Sequence, residues 1–159
     1  MTNAELPDAG QHVRQTRHVM DVELQWDRLL ELTRGLAPAG NAALQLILPV
    51  LNEDVNPRWP LLERTGLSAP AIGTIAGQLD RELAALDAWS RADIASAAAR
   101  TAVACGVSAD KVLALAGVFV IGEFTRLPLP ELCELMGRQR VLARLRATTR
   151  AYASMQMVG

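Results

Sequence analysis

The sequence predicts an all-α protein, a compact multi-helix bundle, and three observations carry that expectation. Half of the 159 residues are hydrophobic, yet aromatics make up only 4%, and alanine and leucine dominate. A core of that kind suits helices packed through small and branched aliphatic side chains; strands favour β-branched and aromatic residues. Apolar residues recur at three- and four-residue spacing, and no segment alternates convincingly as a half-buried strand would. Serine or asparagine precedes several of these periodic runs and glycine follows them, as helix caps require.

Residues 1–10 are polar and contain Pro7 and Gly10, so they read as a frayed end. A first helix is expected from about Gln11 to Arg34. Val22, Trp26, Leu29 and Leu30 share one face, and Gly35 stands in the position of a left-handed cap. A second helix follows Asn41 and carries Ala43, Leu44, Ile47, Leu48 and Leu51, with Pro49 kinking or shortening it. Asn52 to Pro60 reads as a loop and Leu61 to Thr65 as a short helical turn. The chain is therefore expected to divide into an N-terminal helical part, 1–66, and a second helical domain, 67–159.

Ser68 with Pro70 opens the next helix, and Ile72, Ile75, Leu79, Leu83 and Leu86 form its buried stripe. Ser90 followed by Asp93 is a carboxylate variant of the capping box, and that helix runs to Cys105 before Gly106. Ser108 and Asp110 begin another, from Ala109 to about Ile121, with the acid near the positive end of the helix. After a proline-punctuated loop, Pro130 starts a short helix that Gly137 breaks. Arg138 to Tyr152 forms the last one.

Net charge is -1, and it conceals an asymmetry. From Arg126 onward there are six arginines against two acids, so the tail is basic and the body acidic. A local basic patch can bind a polyanion even on a neutral chain, although arginines on a last helix can also simply face solvent. Cys105 and Cys133 lie in apolar helical patterns without metal-ligand spacing and read as free thiols in a reducing compartment. With Glu5, Asp8 and no apolar run, the N-terminus is not expected to be a signal peptide. The longest apolar run, Val112 to Ile121, is about half of what a membrane span needs. A cytoplasmic protein with no membrane partner is expected.

Motifs that carry chemistry are absent. His12 and His18, six apart, lack the spacing of a helical metal pair. No nucleophile elbow, phosphate loop or dinucleotide fingerprint occurs, so no catalytic residue, cofactor or metal is expected. Leu61 to Leu79 has the outline of a helix-turn-helix, but its second helix carries no basic residue before Arg81. That argues against DNA, whose recognition needs phosphate neutralisation and base contacts.

The stretch Lys111 to Leu145, KVLALAGVFVIGEFTRLPLPELCELMGRQRVLARL, resembles the anticodon-binding region at the end of bacterial glutamyl-tRNA synthetases. That family has a lysine-led helix ending in Thr-Gly, a short loop, Pro-Leu-x-Glu-Leu, Leu-Leu-Gly, and a basic run ending in Val-Leu-x-Arg-Leu. Lys111, Val118, Gly122, Pro128, Leu129, Glu131, Leu132, Leu135, Gly137, Arg138, Arg140, Val141, Leu142, Arg144 and Leu145 fall on the pattern. Upstream, Leu83 to Gly106 resembles the preceding helix pair, with Trp89 between the helices. Where the family has Pro-Leu-Arg, this chain has Leu115, Ala116 and Gly117, and its Thr is Ile121. Nothing in these 159 residues resembles the family's catalytic domain, so a domain without it is expected.

The resemblance implies the all-α fold of a class I aminoacyl-tRNA synthetase anticodon-binding domain, standing alone, that binds tRNA or other structured RNA. The loop Glu123 to Pro130 would approach unstacked bases, with Phe124 stacking and Arg126 contacting base or phosphate. Arg138, Arg140, Arg144, Arg146 and Arg150 would give the electrostatic footing. Two other readings stand beside it. One is a repurposed scaffold for a protein partner or homodimer, favoured by the lost arginine and by an apolar Val112 to Ile121 run too broad for one helix face. The other is a small-molecule binder or enzyme with a pocket between the two halves, where His18, Asp21, Trp26 and Trp59 are the first suspects.

Overall fold

The computed structural model describes residues 27–34, 49–50 and 54–158. These are helical throughout, with turns between, and no strand occurs among them. A 3-10 helix, Trp59–Thr65, leads into five α-helices. They are α1 (Ala69–Ala84), α2 (Arg91–Cys105), α3 (Ala109–Val120), α4 (Leu129–Met136) and α5 (Arg138–Val158). Residues 27–33 and 49–50 are also helical, within the spans expected for the first two helices. The remainder of those spans, with His12, His18, Asp21 and Trp26, lies outside the described residues.

The caps act as the sequence predicts. The backbone N–H groups of Ala71, Asp93 and Lys111 donate to the hydroxyls of Ser68, Ser90 and Ser108 at 3.3, 3.2 and 3.3 Å. Each satisfies a donor that a helix start leaves open, worth about 1 kcal/mol. Gly66 and Gly106 close the 3-10 helix and α2 in the left-handed conformation. Three boundaries differ from expectation. α1 ends at Ala84, so Leu86, expected on its buried stripe, is half-buried in the turn beyond it. The turn expected at Leu61 is seven residues of 3-10 helix starting at Trp59. The last helix continues past Tyr152 to Val158, because Ala153 to Val158 contains no residue that breaks a helix.

α3 is the axis of the bundle. It packs against α1, α2, α5 and the 3-10 helix, while α1 pairs with α2 and α5, and α4 closes one end against α2 and α5. Val112, Leu115, Val118 and Phe119 are completely buried and Val120 nearly so. Burial of each such side chain stabilises the fold by roughly 1.5–3 kcal/mol. The breadth of the apolar run is thus answered inside the molecule, and it no longer argues for an outside partner. Phe119 packs edge-on to Trp59 at 6.0 Å and lies 5.9 Å from Tyr152, which ties the 3-10 helix to α3 and α5.

Trp89 fills the junction of α1, α2 and α4, as the resemblance implies. Its indole N–H donates to the Cys133 carbonyl at 2.8 Å. No single helix among the described residues is long and apolar enough to cross a membrane. α2 and α3 pass that test only together, and a 113° bend separates them.

Candidate nucleic-acid interface

The loop between α3 and α4 is built on two glycines. Gly117, in the last turn of α3, has no side chain, and a Cβ there would lie 3.0 Å from the Glu123 carbonyl oxygen. That vacancy lets the loop fold back onto the helix. The N–H groups of Ile121 and Gly122 both donate to the Gly117 carbonyl, at 2.8 and 3.0 Å. Gly122 has φ +99°, and a Cβ there would meet the Asn56 carbonyl oxygen at 2.8 Å. From the same side the Arg58 N–H donates to the Gly122 carbonyl at 2.8 Å. Further on, the Leu127 N–H donates to the Thr125 hydroxyl at 3.0 Å, a local turn that orients Arg126.

A clasped loop presents side chains with little ordering left to do, which suits recognition. Arg126 is exposed at its tip. Phe124 is half-buried and leans on the core. With Leu113, Ala114, Gly117, Leu127 and Leu129 it lines an apolar cleft of about 280 Å³. Gly117 and the folded-back Glu123 backbone therefore leave little room for a side chain at position 117.

The arginines of α5 do not form one patch. A helix turns by about 100° per residue, so Arg138, Arg140, Arg144, Arg146 and Arg150 point in several directions. Arg144 is only 5% exposed. Its guanidinium donates to the carbonyls of Val120 at 3.0 Å and of Pro49 and Val50 at 3.3 Å. Burial, together with the charge of Arg140, lowers its pKa from the ordinary value, and Asp54 acts the other way. Among the sequence-predicted contact residues, Arg144 is thus an internal tie between α3, α5 and residues 49–50.

Arg138 donates to the Leu86 carbonyl, and its guanidinium lies 5.6 Å from the Trp89 ring centroid. Arg146 grips Asp80 of α1 with two nitrogens at 3.0–3.1 Å. That bond raises the Arg146 pKa. Arg140 is half-buried, and Arg150 is exposed. On this side of the sequence Arg126 and Arg150 are the arginines whose side chains are exposed and carry no partner among the described residues.

Other candidate chemistry is thin. No group of three or more His, Cys, Asp or Glu that could hold a metal occurs among the described residues. Cys133 is buried and its thiol is pushed up to about 12 by desolvation, far from thiolate reactivity at neutral pH. Trp59 lines a shallow cleft of about 380 Å³ with Leu62, Ile72, Tyr152 and Met155, and with Glu63 and Gln156 as its polar members.

Among the described residues, fold and loop together define an all-α domain that carries a clasped loop, with Arg126 exposed on it, beyond a buried central helix. A family model described as the anticodon binding domain matches residues 64–149, more than half of the sequence, and the chain belongs to that family. Among solved structures the fold is similar to a glutamate tRNA ligase from Elizabethkingia meningosepticum, determined in complex with its amino acid. The TM-score is 0.57 at 15% identity, over 86% of this chain and 30% of that one. At that identity the likeness concerns the fold, and this chain spans about a third of the ligase's length. No curated protein matches the chain.

Proposed function

We propose that this chain is a tRNA-binding module that meets single-stranded bases with the loop Glu123 to Pro130. The observation that carries the reading is the clasped loop itself, with Phe124 beside an apolar cleft and Arg126 at the tip, in a chain of the anticodon binding domain family. Unstacked bases are recognised by stacking and edge hydrogen bonds, and phosphates by arginine. Phe124 offers the apolar face and Arg126 the cation. Arg140 and Arg150 add footing along α5, while Arg138, Arg144 and Arg146 hold the fold.

The test is fluorescence anisotropy with bulk tRNA at low and near-physiological salt. Saturable binding is expected, weakening as salt rises, because cation–phosphate contacts release counterions. An Arg126→Ala/Arg140→Ala variant should bind about tenfold less tightly, a loss of about 1.4 kcal/mol. Absence of binding by the unaltered chain at low salt overturns the proposal.

A protein-binding or homodimerising scaffold is the second reading. Met157 and Val158, 87% and 90% exposed at the end of α5, favour it. Sedimentation showing a dimer whose mass is insensitive to salt would support that reading.

A further inference from the structure

The clasp at Gly122 brings a second arginine to the loop from a distant part of the sequence. Residues Asn56 to Arg58 press on Gly122 from one side: the Asn56 carbonyl occupies the space of a Cβ, and the Arg58 N–H holds the Gly122 carbonyl. The backbone at Arg58 is therefore fixed against the loop that carries Arg126. Arg126 lies four positions after Gly122, and four residue steps span at most ~14 Å even when extended. Both arginine side chains are exposed. Among the described residues neither guanidinium has a hydrogen-bond or ion-pair partner.

Among the described residues of these segments there are two acids. Glu123 is half-buried, with its backbone folded onto Gly117. Asp54 acts electrostatically on the buried Arg144, whose positive charge offsets it. The cations left facing outward from these two segments are Arg58 and Arg126.

We propose that Arg58 is a second phosphate-contacting residue of the RNA surface, set beside Arg126 by the clasp between residues 56–58 and Gly122. This rests on the tRNA-binding reading above. Guanidiniums presented from two clasped backbones suit a bent single strand, whose consecutive phosphates turn about the bases that the loop receives. Because the fold uses the backbone of Arg58 and not its side chain, replacing the side chain leaves the clasp intact.

The experiment measures bulk-tRNA affinity against salt for the full chain, Arg58→Gln, Arg58→Lys, Arg126→Gln and Arg100→Gln. The last removes an equal charge from the α1–α2 face, where Arg100 pairs with Glu82 at 2.8 Å. Arg58→Gln is expected to weaken binding by about three- to tenfold and to flatten the salt slope by about 1. Arg58→Lys should keep most of that slope, and Arg100→Gln should match the unaltered chain. If Arg58→Gln behaves like Arg100→Gln while Arg126→Gln weakens binding, the role of Arg58 is overturned and the tRNA reading stands. If the unaltered chain fails to bind tRNA at low salt, both fall.

Discussion

α5 has a dry flank and a wet flank, and each holds an arginine in a different way. On the dry flank Arg144 is enclosed and answered by backbone carbonyls of Val120, Pro49 and Val50. On the wet flank, two residues on, Arg146 is answered by the Asp80 carboxylate in reach of solvent. The residue type is the same and the neighbours decide the role. A buried guanidinium that satisfies carbonyls organises the fold, since removing it strands several acceptors at once. A solvated ion pair contributes little and is screened by salt.

The sharpest test of this contrast is Arg144→Ala, which should cost about 3 kcal/mol of unfolding free energy in urea. A loss as small as that of a surface pair would break the comparison. Next is the neighbouring clasp. Gly122→Ala puts a Cβ against the Asn56 carbonyl in a positive-φ position and should cost about 2 kcal/mol or more. Gly66→Ala, at φ +70° with open space around it, pays only the conformational part, about 1 kcal/mol. Equal costs at the two glycines would show that residues 56–58 do not press on the loop. Trp89→Phe keeps the apolar bulk but loses the bond to Cys133, so about 1 kcal/mol should go.

The smallest effects belong to the wet side. Arg146→Ala should leave the urea midpoint nearly unchanged at high salt. The Glu82 carboxyl is held below its ordinary value, first by its hydrogen bond from Arg100. Its folded pKa is therefore lower than its unfolded one. The resulting stabilisation is present above the usual carboxylate range and fades as pH falls through the folded value. Glu82→Gln should remove that part of the acid-side decline, detectable by comparing melting temperatures near pH 7 and pH 3.

The parts of the fold that were legible in the sequence are those written locally. Ser68, Ser90 and Ser108 cap helices through bonds three residues along the chain, and Gly106 and Gly137 stop α2 and α4 where such residues should. The stripe of α1 from Ile72 to Leu83 is buried as its period implies. What local pattern cannot show is which arginine faces inward. Arg140 and Arg144 look alike on a helical projection, but the Arg144 acceptors lie 24 and 94 residues away. The same holds for Arg146, whose acid is 66 residues upstream. The loop's candidate role came from its likeness to a family. The clasp that makes it rigid came from Gly122 meeting residues 56–58, a contact without local signature.

Beyond Tyr152, α5 runs on with every residue exposed to Val158. Helix there rests on intrinsic propensity and its own backbone bonds, with little packing to hold it. Those amides should exchange with deuterium soonest among the helices, ahead of the amides at Val112 to Val120. The same independence makes the helix end a natural handle: a dye or a surface tether attached at Met157 or Val158 would report on or immobilise the domain without entering its core.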